Sequence, residues 1–323
     1  MKVQSDWTLR EIKNLYEMPL VKLIARAMGV HAEHHEVGEV QVCHLISIKT
    51  GGCLEDCKYC AQSSHYKTSV KPQPMMRYEE TLSRAKEAVA RGATRVCLGA
   101  AWTEVRENKQ FEDTLRMVKG IAELGVEVCC TLGFINASQA GRLKEAGLYA
   151  YNHNLDTSEA FYKTIITTRS YQDRLKTLDV VEEAGLSVCC GGILGMGESI
   201  EDRLKLIHTL SNRDPHPESV PINKLSRIEG TPLEDQPLLP FWEMVRIIAI
   251  ARITMPKTMV RLSAGRIELS PSEQALCFLA GANSIFSGEK LLTVANTPVD
   301  RDCELFEQLG LKKRRAFANE SLA

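Results

Sequence analysis

The 323-residue chain reads as an α/β protein, a (β/α)8 TIM-type barrel with an N-terminal helical extension. Three observations predict this. From residue 40 a short β-branched run alternates with a longer amphipathic segment, the pattern of a parallel sheet with helices outside. About eight such units fit in roughly 250 residues, the usual span of such a barrel. Gly92, Gly125, Gly147 and Gly185 each follow a helical stretch, where a left-handed C-cap is wanted. Counting strands does not prove closure, so an open doubly wound sheet stays as the alternative.

In chain order, Thr8 and Glu11 have the spacing of a capping box for a helix through Leu15. Pro19 suits the first turn of a second helix toward His35. His31, His34 and His35 on it are expected on a solvated face, since a metal would need further ligands. The predicted strands are Val40–Ile48, Thr94–Ala100, Glu127–Leu132, Tyr149–Asn154, Ser187–Gly192, Ser219–Asn223, Met259–Ser263 and Asn283–Phe286. The helices between them are Tyr78–Ala90, Glu112–Leu124, Ser138–Ala146, Tyr171–Ala184, Ile200–Leu210, Phe241–Thr254 and Ser272–Leu279. No linker divides the chain. Residues 1–38 form the extension and 39–311 the barrel. The stretch from Asp300, ending KKRRAFANESLA, reads as a frayed tail, with 312–323 set as the flexible end.

Composition excludes several classes. Hydrophobic residues are 44% and charged residues 25%, which rules out a disordered or collagen-like chain. Forty basic residues against 41 acidic give a net charge of −1, so there is no electrostatic case for nucleic acid or an anionic membrane. The apolar stretch Phe241–Ile253 is broken by Glu243, Arg246 and Arg252 and cannot span a bilayer. The N-terminus has no apolar leader core, so the expected location is the cytoplasm. The eleven cysteines are odd in number, in a chain large enough for its own core. They therefore point to metal or redox chemistry before disulfides.

The strongest local signal is Thr50-Gly-Gly-Cys53-Leu-Glu-Asp-Cys57-Lys-Tyr-Cys60. Three thiolates spaced Cys-x3-Cys-x2-Cys on one tight loop can hold three corners of an Fe4S4 cube and leave the fourth iron open. Gly51 and Gly52 let the backbone fold closely round the sulfurs. A structural zinc site with a fourth ligand such as His65 is the competing reading.

This spacing, with Tyr59 before the last cysteine, resembles the radical S-adenosylmethionine enzymes. LISIKTGGCLEDCKYCAQSSHYKT, RVCLGAAW, YNHNLDTS, ITTR, VPIN, VRLSAGR and AGANSIF together resemble the biotin synthase family within them, from about Trp7 to about residue 311. The triplet alone indicates only the superfamily; the set is specific. The resemblance implies a sulfurtransferase that inserts sulfur into dethiobiotin, the last step of biotin synthesis. It implies an Fe4S4 cluster on Cys53, Cys57 and Cys60, with S-adenosylmethionine on its free iron. It also implies an Fe2S2 cluster on Cys97, Cys129, Cys189 and Arg261 as sulfur source. Tyr59, Asn154, Asp156 and Ile193 would meet S-adenosylmethionine: Asn154 and Asp156 at the ribose, the backbone round Ile193 along the adenine. Asn154 and Asn223 would meet the ureido ring of dethiobiotin, and Thr293 its carboxylate. Implied partners are a reducing protein such as flavodoxin or ferredoxin, and a second copy in a homodimer.

Two features depart from the family pattern. Cys130 follows Cys129 and Cys190 follows Cys189, and only one of each pair can face inward; the family stretches select Cys129 and Cys189. Val294 stands where the family carries a second threonine. Cys43 lies on the first strand where relatives often have serine; it either approaches the second cluster or is simply core, and core is the expectation. Arg95 and Arg169 are weighed between cations near the clusters and surface ion pairs. A barrel enzyme with the Fe4S4 cluster alone, or a non-enzymatic electron carrier, are the rival readings.

Overall fold

The computed structural model describes residues 3–317. Eight parallel strands close into a barrel: β1 Glu39–Lys49, β2 Arg95–Ala100, β3 Glu127–Thr131, β4 Ala150–Asn152, β5 Ser187–Cys189, β7 Ser219–Lys224, β8 Met259–Leu262 and β9 Ser284–Ser287, which returns to β1. β6, Gly192–Leu194, resumes the course of β5 and pairs with β7. Closure removes both sheet edges, so the open-sheet alternative falls. Glycines 92, 125, 147 and 185 all take positive φ after their helices.

The expected fifth strand, Ser187–Gly192, is cut at Cys190–Gly191, and the cause is local. A Cβ on Gly191 would stand 2.0 Å from the Pro221 carbonyl oxygen, so only glycine lets β7 come this close. Pro221 has no N–H to extend the ladder. The Gly191 carbonyl instead accepts from the Asp156 N–H at 3.1 Å.

In the N-terminal extension, Leu9–Glu17 carries the Thr8–Glu11 capping box. The next helix, Leu20–His34, starts after Pro19, which is its N-cap and not a residue of its first turn. Its histidines are not on a solvated face. His31 is buried, its ring 5.2 Å from that of His35, and His35 Nε2 lies 2.7 Å from Arg252 Nη1 on helix Phe241–Thr254.

The tail reading is also corrected. Val299–Leu309 is a helix that buries Leu305 and Phe306. A hairpin, β10 Lys290–Leu291 and β11 Val294–Ala295, precedes it. β12, Lys312–Lys313, pairs with Glu39 and Val40. The Phe317 N–H then donates to Glu127 Oε1 at 2.8 Å under the barrel. Residues 318–323 lie outside the described part. Among the described residues no helix is long and apolar enough to cross a membrane.

Candidate active site

Strand alternation puts residues of one parity inside the barrel. Register then sets their height. Cys97 pairs with Cys129, Cys129 with Ala150, and Asn152 with Cys189. Arg261 pairs with both Pro221 and Ser284. The result is an interior contact cluster of Cys43, Cys97, Cys129, Ala150 and Cys189. Cys130 and Cys190 belong to the other core, between sheet and helices. The choice of Cys129 and Cys189 as the inward members therefore agrees with the geometry.

Below these thiols the barrel is closed by buried charge. Arg95 Nε donates to Glu127 Oε2 at 2.6 Å, and Arg95 Nη1 and Nη2 each donate to Glu218 at 2.9 Å. Arg95 is thus no surface ion pair. Arg261 is equally buried. It donates to Ser284 Oγ at 2.9 Å, to Gln41 Oε1 at 3.0 Å and to Cys189 Sγ at 3.5 Å. The nearby thiols Cys43 and Cys189 outweigh burial and hold its pKa up, so Arg261 is a cation. Hydrogen bonds from Cys189 and Cys97 hold the Cys129 thiol well below its usual range, with Arg95 and Arg261 adding to the effect against burial. Hydrogen bonding to Cys129 pushes Cys97 and Cys189 the other way, well above the usual thiol range, so the floor favours one thiolate, at Cys129.

Above the thiols lies a cavity of about 330 Å3. Its wall includes Cys97, Cys129, Cys189 and Arg261 at one end and Cys53, Cys57 and Cys60 at the other. The triplet sits on the long loop after β1, where Gly51 and Gly52 both take φ +73. A Cβ on Gly51 would meet Pro72 Cα at 3.0 Å, so the loop's close fold needs its glycines. Residues 166–169 clamp this loop: the N–H groups of Thr167 and Thr168 donate to Asp56 Oδ1 at 2.8 and 3.1 Å, and Thr168 Oγ1 bonds Glu55. Arg169 spans from Glu55 to Glu104, over the Phe134 ring. Burial pushes the Cys60 thiol up to about 11 and raises Cys57 too.

The donor sets fit clusters better than a single ion. Among the described residues, no three His, Cys, Asp or Glu side chains close round one metal ion. Cluster thiolates each bind a different iron, whereas zinc draws its ligands to one point. His65 Nε2 lies 3.0 Å from the Leu54 carbonyl.

The remaining sequence candidates line the same cavity: Tyr59, Asn154, Asp156, Ile193, Asn223 and Thr293. Tyr59 donates to Asp156 Oδ2 at 2.8 Å and so ties the cysteine loop to the end of β4. Asp156 holds φ +67. Burial raises its carboxyl pKa, opposed by Arg174 and Tyr59. Asn154 Oδ1 accepts from the Gly191 N–H at 3.0 Å, while Asn223 bridges the Gly192 carbonyl and the Ala264 N–H. Both amides are locked in orientation with their remaining lone pairs and protons free for a ligand.

Two wall residues escaped the sequence reading. Arg174 lies 3.4 Å from Asp156 Oδ2 and donates to Tyr162 Oη at 2.7 Å and to the Asn154 carbonyl at 2.8 Å. On the sequence it is one more helical arginine, and nothing marks it. Asn152 Oδ1 is buried on the wall without a hydrogen-bond partner, which points to an absent donor. Its signal was the asparagine repeat Asn152-His-Asn154 at a strand end, of which only the second member was taken up.

Comparison with known proteins gives the same picture. Residues 47–210 match the radical SAM superfamily, and 221–312 match the biotin and thiamin synthesis associated domain. Methylornithine synthase PylB superposes with a TM-score of 0.81 at 19% identity, covering 98% of this chain and 96% of its own. The hydrogenase maturase HydG superposes at 0.82 with 15% identity, covering 96% of this chain and 73% of its own. At these identities the likeness is one of fold. Biotin synthase of Chlamydia abortus is 60% identical over 321 residues, 99% of this chain and 97% of that protein. The mitochondrial biotin synthase of Arabidopsis thaliana is 56% identical over 309 residues, 95% of this chain and 82% of that protein. Identity of this order along nearly the whole length, on a closed barrel with both cysteine sets facing one cavity, makes the chain a member of the biotin synthase family of radical S-adenosylmethionine enzymes.

Proposed function

We propose that this chain converts dethiobiotin to biotin, as a radical S-adenosylmethionine sulfurtransferase that removes two hydrogens from dethiobiotin and closes a ring through sulfur. The observation that carries the reading is the single cavity with thiols at both ends: Cys53, Cys57 and Cys60 at the mouth, and Cys97, Cys129 and Cys189 with Arg261 on the floor. A bound Fe4S4 cluster with S-adenosylmethionine supplies one-electron cleavage of a sulfonium C–S bond, the source of a 5′-deoxyadenosyl radical.

The mouth triplet would hold that cluster, on a loop clamped through Asp56 by Thr167 and Thr168. Asp156, anchored by Tyr59 and Arg174, accepts from the ribose hydroxyls with Asn154, while the backbone at Ile193 lies along the adenine. Asn154 and Asn223 grip the ureido group, and their fixed amides hold the substrate's reacting carbons between the two thiol sets. Thr293 on the 290–295 hairpin takes the far carboxylate. The floor set would hold an Fe2S2 cluster, whose chemistry there would be the supply of sulfur. The barrel wall keeps water from the carbon radical.

The chain would work with a reducing protein such as flavodoxin or ferredoxin and with a second copy of itself. The eleven free cysteines suit the reducing cytoplasm. The deciding experiment is anaerobic incubation with dethiobiotin, S-adenosylmethionine and reductant, followed by mass spectrometry. Biotin and 5′-deoxyadenosine are expected together. 5′-Deoxyadenosine without biotin from fully loaded protein would sink the sulfur-insertion reading.

A further inference from the structure

Ile193, on the cavity wall, is the middle residue of β6. Among the named strands β6 pairs with β7 alone, over three residues. A strand so short has few ladder bonds of its own, so the turn that follows helps to set where it lies. That turn runs through Gly195 and Gly197, at φ +94 and +98. One carboxylate takes its first two N–H groups. Gly195 donates to Glu198 Oε1 at 2.9 Å, and Met196 donates to Glu198 Oε2 at 2.7 Å.

Glu198 is buried, and a buried carboxylate must be paired. Arg203, on helix Ile200–Ser211, pairs it: Nε donates to Glu198 Oε1 at 2.8 Å. The same guanidinium bonds Glu243, on helix Phe241–Thr254, through Nη1. Tyr16, near the end of helix Leu9–Glu17, also donates to Glu243, its Oη 2.8 and 2.9 Å from the two carboxylate oxygens. Arg246 lies over the Tyr16 ring and donates to the Tyr16 and Met18 carbonyls, both at 2.8 Å. Four side chains thus run without a gap from the N-terminal extension to the turn after Ile193. Two carboxylates share one guanidinium, so Arg203 is the member the others depend on.

Resting on the reading that the backbone at Ile193 lies along the adenine, we propose that Arg203 is a positioning residue for S-adenosylmethionine. Through Glu198 it fixes the turn behind Ile193. Through Glu243 and Tyr16 it ties that turn to the N-terminal extension. Arg203 does not line the cavity, so its effect reaches the cofactor only by way of the main chain at Gly195 and Met196. Both cysteine sets lie on other elements, so the loading of iron does not depend on this relay.

The test uses the full chain, loaded anaerobically with iron and sulfide, as wild type, Arg203→Gln, Arg203→Lys, Tyr16→Phe and Thr8→Ala. Equilibrium dialysis with S-adenosylhomocysteine, which has no sulfonium to cleave, reads affinity without turnover. Iron content and unfolding midpoint are read beside it. Arg203→Gln should weaken binding about 2- to 30-fold, the range for substitutions along a connecting network, at unchanged iron content. Arg203→Lys keeps the charge and should recover part of the affinity. Tyr16→Phe should give a smaller loss, and none beyond that of Arg203→Gln when the two are combined. In turnover the loss should appear as a raised KM for S-adenosylmethionine with kcat kept. Thr8→Ala removes the cap of the same helix but stands off the relay, and should bind as wild type does. Should Arg203→Gln fail to fold, Tyr16→Phe decides. Wild-type affinity in Arg203→Gln or Tyr16→Phe, or an equal loss in Thr8→Ala, overturns the proposal and leaves the adenine reading untouched. Iron-loaded wild type that binds no S-adenosylhomocysteine overturns that reading and the proposal with it.

Discussion

The mouth and the floor of the cavity each present three cysteines, but different forces hold them. At the mouth, Cys53, Cys57 and Cys60 sit on one loop, fixed by short-range spacing, two left-handed glycines and hydrogen bonds from Thr167 and Thr168. On the floor, Cys97, Cys129 and Cys189 come from three strands, brought together only by register and braced below by Arg95, Glu127 and Glu218. A loop can place ligands without a finished barrel; the floor cannot exist until the barrel closes. The mouth is thus a local device and the floor a global one, and each should fail in its own way.

The sharpest separation comes from two substitutions. Cys57→Ser should remove the mouth cluster and with it all cleavage of S-adenosylmethionine, so that 5′-deoxyadenosine falls to background. Cys97→Ala should leave that cleavage running and stop only biotin, with loss of one Fe2S2 unit of iron and sulfide. Mass spectrometry of both products, beside metal analysis, checks the pair. If Cys97→Ala still makes biotin, the floor is not the sulfur source and the division of labour between the two ends is wrong.

The floor's dependence on the whole fold can be measured as stability. Arg95 is wholly buried between two carboxylates. Removing one partner of such a network leaves uncompensated buried charge, at a cost of about 3–5 kcal/mol. Arg95→Ala should therefore lower the unfolding free energy of the metal-free protein by that amount, seen as a lower denaturant midpoint, and disturb the floor cluster, while the mouth cluster still loads. Equal loss of both clusters would show that the mouth depends on the barrel as much as the floor does.

The same contrast explains what could be read from the sequence. The barrel was legible because its period and its C-cap glycines are local, and the Cys53–Cys60 triplet because its chemistry lies within eight residues. The floor was legible only by family resemblance. Periodicity could not choose between Cys129 and Cys130, since both are flanked by apolar residues. Arg174 went unplaced because its role depends on which elements become neighbours of Asp156. The tail was misread because the composition of KKRRAF carries no sign that Lys312 and Lys313 would extend the sheet beside Glu39 and Val40.

A smaller effect tests whether the mouth extends past its cysteines. Asp156 accepts from Tyr59 at 2.8 Å, and its φ of +67 is one that asparagine tolerates. Asp156→Asn should keep the backbone and lose the anionic acceptor. A hydrogen bond to a charged group contributes about 1.5–3 kcal/mol, so KM for S-adenosylmethionine should rise about 10- to 100-fold. KM for dethiobiotin should move far less. A change confined to dethiobiotin would place Asp156 with the substrate instead.

The smallest effect concerns Val294, where the family carries a second threonine. Leu292, Thr293 and Val294 all line the cavity, and Leu292 takes φ +49 at the turn of the β10–β11 hairpin. The hairpin fixes the backbone whichever residue stands at 294, and valine and threonine share shape and β-branching. Val294→Thr should therefore add one hydroxyl donor to the carboxylate site with little change in stability. One net hydrogen bond is worth about 0.5–1.5 kcal/mol, which predicts a fall in KM for dethiobiotin of about 2- to 10-fold and no change for S-adenosylmethionine. If KM for dethiobiotin stays put while Thr293→Ala raises it, the backbone already satisfies the carboxylate at 294. If neither substitution moves it, the carboxylate does not reach this hairpin, and the substrate must lie the other way round between the two thiol sets.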